Sequence, residues 1–150
     1  TPQTVPQADL WMSCFDVVQI NEDELALLGP DPMGVAARAL AVGVRTLVVT
    51  LGAEGAVHFS TPSFDLFQRR ESPPTSGPIR TSRIPVERAL EGGDPTGCGD
   101  VFGGTLVGQL LWGVDIEAAV RKANALARRN LTLRGATNLH YHLRGEIAPI

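Results

Sequence analysis

The sequence has little of what marks a secreted, membrane-bound or nucleic-acid-binding protein. Its two cysteines, Cys14 and Cys98, are too few for a disulfide framework, and neither has a neighbouring cysteine or histidine at metal-ligand spacing. No apolar run approaches the roughly 18 residues that a transmembrane helix needs, and no basic segment followed by an apolar one opens the chain. A net charge of -3 gives no electrostatic reason to expect nucleic acid or an anionic membrane as a partner. We therefore expect a cytoplasmic protein with reduced thiols.

The chain also lacks the two most familiar nucleotide-binding patterns. A phosphate loop of the Walker type needs glycine followed by lysine and then serine or threonine, and no Gly-Lys pair occurs in the sequence. A dinucleotide-binding loop needs a different glycine spacing and an acidic strand end about 20 residues further on. Gly97, Gly99 and Gly103 do not have that spacing, and Glu117 falls within a predicted helix. The first pattern is excluded and the second is disfavoured.

Short apolar segments and turn residues predict an α/β arrangement. Strands are expected at residues 16–20, 45–51 and 56–60, with a weaker one at about 84–87. Asn21 and Glu24 fit a capping box at the start of a short helix, and a second helix is expected over residues 34–42. Residues 52–55 form a turn and residues 71–82 a loop. A strand, a helix and a strand followed by a hairpin indicate a mixed sheet.

Two longer helices are predicted in the last third of the sequence. One covers residues 99–112, and the other begins after Asp115 as N-cap and reaches about residue 131. The second helix is amphipathic, because apolar residues recur on one side and basic residues on the other. The apolar side consists of Ile116, Ala119, Val120, Ala123 and Leu126, and the basic side of Arg121, Lys122, Arg128 and Arg129. We interpret the two arginine pairs of the chain, Arg69–Arg70 and Arg128–Arg129, as solvated surface.

The most informative segment covers residues 94–104 and reads DPTGCGDVFGG. Glycines immediately before a helix allow backbone N–H groups to converge on a phosphate, and the helix dipole favours the negative charge. A carboxylate in the first turn, here Asp100, has an ordinary explanation as a partner of that dipole. Beside a phosphate, however, the carboxylate repels the bound anion, so its presence there calls for a function in the reaction. Deprotonation of the hydroxyl that attacks phosphorus is such a function, which makes Asp100 a candidate general base.

Residues 94–102 resemble the C-terminal signature of the ribokinase-like (PfkB) carbohydrate and nucleoside kinases. Residues 21–24 and residues 50–55 are similar to two further motifs of that family, and residues 123–125 together with 133–136 are similar to its last helix and following loop. The motifs occur in family order and cover nearly the whole chain. The resemblance implies a ribokinase-like α/β sandwich, of which this chain is the C-terminal portion: a mixed, mostly parallel sheet flanked by helices.

The resemblance also implies a role for each matching residue. Asp100 is the general base toward the acceptor hydroxyl, and the backbone N–H groups of Gly97, Cys98 and Gly99 form an anion hole for the transferred phosphoryl group. The nucleotide-binding residues are Asn21, Glu24, Thr50, Gly52, Gly55 and Asn124, with Asn124 near the adenine. Glu24 helps to position Mg²⁺. Many relatives bind a monovalent cation near the residue that matches Asp94.

Some of these residues have simpler explanations, and two depart from the family pattern. Asn21 and Glu24 can serve only as a capping box, and Asn124 can be a polar residue at the edge of the core. Cys98 stands where the family usually has alanine or glycine, and Thr105 where it has glycine or alanine. Cys98 still supplies a backbone N–H, so the anion hole can survive, whereas Thr105 adds bulk to a helix face that should pack.

The implied activity is ATP-dependent phosphorylation of a hydroxyl on a sugar or nucleoside. Residues 1–150 are expected to be the nucleotide-binding and catalytic-base portion of the kinase domain, without its N-terminal half and lid. Most acceptor contacts then lie elsewhere, so the acceptor is not identified. The alternative is a truncated, non-catalytic nucleotide-binding or assembly module. Because the sheet edge would be uncovered, we expect either a fragment or a chain that assembles with another copy or a partner.

Overall fold

The computed structural model describes residues 7–62, 64–67, 77–88, 90 and 92–133. The chain divides into two compact units. The first comprises Thr1–Gly52 and Ala56–Arg83, and the second comprises Ala53–Gly55 and Ile84–Ile150. Within the described residues, no helix is long and apolar enough to cross a membrane.

The first unit is built on a mixed β-sheet. Its strands are β1 (Val17–Asn21), β2 (Thr46–Thr50), β3 (Ala56–Ser60) and β4 (Arg80–Ile84), and they lie side by side in chain order. β1 and β2 are parallel, which requires a crossover between them, and β2 and β3 form an antiparallel hairpin. The predicted mixed sheet is confirmed, and each end of the first three strands lies within one residue of its predicted position.

The described residues of the first unit also form the α-helices α1 (Ala8–Met12), α2 (Glu22–Leu28) and α3 (Pro32–Ala41). The prediction missed α1, because a helix of five residues is too short to show a periodic pattern. It also placed the start of α3 two residues too late, at Gly34, whereas the helix begins at Pro32. Proline is favoured in the first turn of a helix, and the Asp31 side chain caps this one by accepting a hydrogen bond from the Met33 N–H at 3.1 Å.

The core of the first unit lies on one face of β2 and β3. Successive side chains of a strand point to opposite faces, so Leu47, Val49 and Phe59 share the face that packs against α3. Thr46, Val48, His58 and Ser60 occupy the other face and are also buried. β2 is therefore buried on both faces, as its nearly continuous apolar sequence predicted.

The predicted strand at residues 84–87 is wrong in position. The strand is Arg80–Ile84, so the predicted loop also extended too far. Pro85 follows Ile84, and a proline has no N–H group with which to continue the ladder. Residues 71–76 of the predicted loop lie outside the described part of the chain.

The second unit contains the two longest helices, α4 (Cys98–Leu111) and α5 (Ile116–Asn130), which pack against each other. Both were predicted to within one residue at either end. The Asp115 side chain caps α5 by accepting hydrogen bonds from the N–H groups of Glu117 and Ala118 at 3.0 and 3.1 Å. All five residues of the predicted apolar side are buried, and so are Asn124 and Asn130. The amphipathic prediction for α5 is confirmed.

Candidate functional site

Three predicted nucleotide-binding residues lie together in the first unit. Asn21 ends β1 and is the register partner of Thr50, which ends the parallel strand β2. Glu24 lies in the first turn of α2, immediately after β1. The carboxyl ends of parallel strands are where open α/β sheets usually bind ligands. Gly52, two residues beyond Thr50, begins a 3₁₀ turn and is exposed.

Asn21 and Glu24 form the predicted capping box. The side-chain oxygen of Asn21 accepts a hydrogen bond from the Glu24 N–H, and the Glu24 carboxylate accepts one from the Asn21 N–H, each at 2.8 Å. Both residues are exposed. The box uses one carboxylate oxygen of Glu24, so the second oxygen remains available to a ligand. A structural role and a ligand-binding role are therefore compatible in this pair.

The glycine loop lies in the second unit and leads into α4. Gly97 is the N-cap, in the left-handed region with φ 80°, where glycine is favoured because it has no Cβ. It also has no side chain with which to cap the helix. Among the described residues, no acceptor is present for the N–H groups of Gly97, Gly99 and Asp100. These free donors at a helix N-terminus are suited to an anion.

Cys98 differs from its neighbours in the loop. Its N–H donates to the Pro95 carbonyl at 3.1 Å, so this donor is already engaged. Cys98 could join the predicted anion hole only by sharing or giving up that bond. Asp94 shapes the same turn, because its carboxylate accepts a hydrogen bond from the Thr96 N–H at 3.0 Å.

Asp100 is exposed and is the third residue of α4. In many helices an acidic residue at this position completes a capping box, but here the N-cap is a glycine and offers only its backbone. Within the described part of the chain, the Asp100 carboxylate has no hydrogen bond or ion pair. It is therefore available to accept a proton from a bound hydroxyl.

Gly55 and Asn124 meet at the end of β4, also in the second unit. The Asn124 side-chain amide donates to the Ile84 carbonyl at 3.0 Å and is nearly buried. Gly55 has φ 98°, and a Cβ added there would collide with the same carbonyl and lie 2.8 Å from Pro85. Two motifs far apart in sequence thus converge on one short segment, Ile84 and Pro85.

A cavity of about 530 Å³ opens beside this segment, a size typical of small-molecule sites. Its character is basic, because four cationic side chains and one carboxylate lie around it. Arg128 donates to the Arg88 carbonyl at 2.6 Å, and the Arg88 backbone is in the left-handed region with φ 58°. The lining residues are Pro85, Val86, Glu87, Arg88, Arg121, Lys122, Asn124, Ala125 and Arg128.

Sequence reasoning assigned only Asn124 to such a site. The arginine pair of α5, Arg128 and Arg129, was interpreted as solvated surface, and residues 84–87 as a weak strand. The positive φ of Arg88 is the structural sign that residues 85–88 are unusual, and no sequence pattern predicts it.

The predicted site residues thus fall into two groups, one in each unit. Asn21, Glu24, Thr50 and Gly52 belong to the first, and the remaining six with Asp94 to the second. Among the described residues, no three His, Cys, Asp or Glu side chains cluster in a way that could hold a metal ion. Residues 134–136, the end of the last motif, lie outside the described residues.

The family model described as pfkB family carbohydrate kinase matches residues 1–141. No curated protein sequence matches the chain. Ribokinase from Thermotoga maritima has a similar structure, with a TM-score of 0.70 and 22% identity over 89% of this chain and 42% of that one.

Two further solved structures have known ligands. Fructokinase from Vibrio cholerae, bound to fructose, ADP and calcium, has a TM-score of 0.66 and 25% identity over 93% of this chain and 43% of that one. A nucleoside kinase from Burkholderia thailandensis in complex with inosine has a TM-score of 0.60 and 24% identity over 85% of this chain and 37% of that one. The chain spans less than half the length of each of these kinases.

Proposed function

This chain belongs to the pfkB family of carbohydrate kinases, and we propose that it is the nucleotide-binding and catalytic-base portion of an ATP-dependent kinase acting on a sugar or nucleoside hydroxyl. The observation that carries the proposal is the start of α4. There, N–H groups at a helix N-terminus lie in the same turn as the Asp100 carboxylate, and none of them is engaged by a residue in the described part of the chain. The fructokinase and nucleoside kinase structures, which hold fructose and inosine, support the substrate class.

The proposed chemistry divides between the backbone and the Asp100 side chain. Asp100 accepts the proton of the acceptor hydroxyl while that oxygen forms its bond to the terminal phosphorus of ATP. The bond from this phosphorus to the bridging oxygen breaks, and ADP leaves with the electron pair. The N–H groups of Gly97 and Gly99 donate to the phosphoryl oxygens, whose charge they stabilise without reorganisation because the helix already orients them.

The remaining site residues are proposed to hold the nucleotide and its metal. The cavity beside Asn124 takes the adenine, with the Asn124 oxygen as acceptor because its amide nitrogen is engaged with Ile84. Thr50, Gly52 and Gly55 shape the rest of the nucleotide site. Mg²⁺ supplies charge neutralisation between the phosphates when bound, and the second carboxylate oxygen of Glu24 fits a contact to it through water. Asp94 is the proposed neighbour of a monovalent cation.

A second candidate function is a nucleotide-binding or assembly module without turnover. Its support is the length of the chain, which covers 42% of the ribokinase structure. Residues that a kinase needs to orient its acceptor and exclude water can lie in the part not matched.

Calorimetric titration of the 150-residue chain tests the nucleotide site. We expect ATP with Mg²⁺ to bind, and adenosine with Mg²⁺, the matched ligand without phosphates, to bind at least tenfold more weakly because the free N–H donors have no phosphate to bind. Equal affinity for the two ligands, or no heat with either, contradicts the proposed site. In a form of the protein that includes an acceptor site, turnover that disappears on replacement of Asp100 favours the kinase, and binding without any turnover favours the module.

A further inference from the structure

The side chain of Asn130, the last residue of α5, contacts the glycine loop that precedes α4. Its side chain is fully buried, and its amide donates to the Thr96 carbonyl at 2.9 Å. The same nitrogen lies 3.5 Å from the Cys98 sulfur. Among the described residues, the Asn130 side-chain oxygen has no partner. Burying a carboxamide with one group unsatisfied costs stability, so its presence here calls for a reason beyond filling space.

Two further bonds attach the loop to the same end of α5. The Leu131 N–H bonds to the Arg128 carbonyl, a tighter turn that leaves the Ala127 carbonyl without its helical donor. The Cys98 thiol donates to that carbonyl at 3.3 Å. The Asp94 N–H donates to the Leu131 carbonyl at 3.2 Å. The C-terminal turn of α5 therefore holds the loop on both sides of Thr96.

The bond to Thr96 has a specific geometric consequence. The Thr96 carbonyl and the Gly97 N–H belong to one planar trans peptide, so they point in opposite directions. Asn130 holds the carbonyl toward α5 and thereby points the Gly97 N–H away from α5. Glycine at position 97 imposes little preference of its own on the backbone, so the orientation of this peptide depends on its hydrogen bonds.

We propose that Asn130 is a positioning residue for the phosphate-binding loop: by holding the Thr96 carbonyl, it orients the Gly97 N–H toward the bound phosphates. This inference rests on the proposed nucleotide site for its consequence, but the attachment itself can be measured without nucleotide. Replacing Asn130 leaves every group of the proposed anion hole in place and removes only what orients one of them.

The reactivity of Cys98 reports whether the loop is attached. In the 150-residue chain with Cys14→Ser, Cys98 is the only thiol, and its rate of reaction with a disulfide reagent is followed at increasing urea. Asn130→Leu keeps the branching at Cγ, with larger terminal groups, and removes the donor. We expect it to raise the rate in the absence of urea by about fivefold or more, the equivalent of one lost hydrogen bond. Because loop opening exposes little surface, this increase should depend only weakly on urea.

Val120→Ala is the matched control. Val120 is a fully buried residue of α5 whose truncation weakens packing without removing a polar contact to the loop. Val120→Ala should increase only the part of the Cys98 reaction that proceeds through global unfolding and depends strongly on urea. An unchanged rate in Asn130→Leu, or an equal increase in Val120→Ala with the same urea dependence, overturns the proposal. If Asn130→Leu does not fold by circular dichroism, Asn130→Ala takes its place, since it removes the donor and adds no bulk.

Nucleotide protection separates failure of this inference from failure of the proposed function. ADP with Mg²⁺ should slow the Cys98 reaction in the parent chain, and most of that protection should be lost in Asn130→Leu. Loop opening in Asn130→Leu without any protection of the parent would support the attachment and contradict the nucleotide site. Equal protection of both chains would support the nucleotide site and contradict a positioning role for Asn130.

Discussion

At the scale of single residues, the loop before α4 and the first turn of that helix contain some residues that contribute a side chain to the proposed site and others that contribute only backbone groups. Asp100 contributes a carboxylate that no described residue engages, whereas Gly97 and Gly99 contribute only backbone N–H groups. Cys98 has its N–H engaged with Pro95 and its thiol engaged with Ala127. Substitutions in this loop should therefore have very unequal effects on turnover.

Asp100→Asn should lower turnover by roughly 100-fold or more, because general-base catalysis typically contributes that much. The affinity for ATP should stay within a few fold, since the N–H donors are unchanged. The measurement is steady-state kinetics in a form of the protein that phosphorylates an acceptor. Asp115→Asn is the matched control: it makes the same change in the same unit, and asparagine caps α5 as well as aspartate does. Turnover of Asp100→Asn within tenfold of the parent would remove Asp100 from the mechanism.

Cys98→Ala should leave turnover within a few fold of the parent. Alanine keeps the backbone N–H and removes the bond from the thiol to the Ala127 carbonyl, a neutral hydrogen bond worth about 1 kcal/mol, together with the longer contact from the Asn130 amide to the sulfur. The effect should therefore appear in the free energy of unfolding, measured by urea denaturation, before it appears in kcat. A large loss of kcat with unchanged stability would show that the thiol itself acts in the reaction.

At the scale of secondary-structure elements, the turn between β2 and β3 brings the Gly55 backbone close to Ile84 and Pro85. Gly55→Ala should lower the free energy of unfolding by roughly 2 kcal/mol or more, because it combines a strained positive φ with a backbone collision. Gly52→Ala is the control, since Gly52 also has positive φ but nothing lies within 4 Å of an added Cβ. It should cost about 1 kcal/mol, the strain alone. Equal losses for the two variants in urea denaturation would contradict the collision.

At the scale of the whole molecule, a chain that spans less than half of its structural relatives should bind nucleotide weakly and phosphorylate poorly. Orientation of two reactants can supply roughly 7–11 kcal/mol of barrier reduction, and much of it is lost if the acceptor is neither held nor shielded from water. We expect no useful turnover of ribose, fructose or nucleosides by residues 1–150 in a coupled assay. Robust turnover by a monodisperse monomer would contradict this expectation.

The same chain should self-associate through the first unit. β1 pairs with β2 on one side, and among the described strands its other edge has no partner. Trp11 and Phe15, which precede β1, are 62% and 52% exposed. Such an uncovered edge beside apolar side chains favours association.

Light scattering should therefore show species larger than the monomer, and Trp11→Glu should shift the distribution toward the monomer. Trp112→Glu is the matched control, because Trp112 is 58% exposed in the second unit and should leave the distribution unchanged. A monomeric parent chain, or an equal effect of the two substitutions, would contradict association through this edge.

Much of the local structure follows from the sequence because its causes are local. The capping box at Asn21 and Glu24 and the cap at Asp115 each depend on residues within one helical turn, and both were predicted. The start of α4 after Gly97 follows from the same kind of reasoning. The strand at Arg80–Ile84 was misplaced because strand formation depends on pairing with β3, which no local pattern specifies.

The sequence by itself predicts the proposed type of chemistry, because glycines before a helix with an aspartate in its first turn suit phosphate binding beside a base. Only the tertiary structure decided which groups are free to perform it. The Cys98 N–H is engaged by Pro95, and the Thr96 peptide is held by a residue 34 positions away, Asn130. Likewise, the cavity at Asn124 is lined by residues 85–88 together with residues of α5, and Gly55 approaches Ile84 closely. Hydrogen bonds and close approaches between distant segments depend on how the elements pack, and the order of residues within one segment does not specify them.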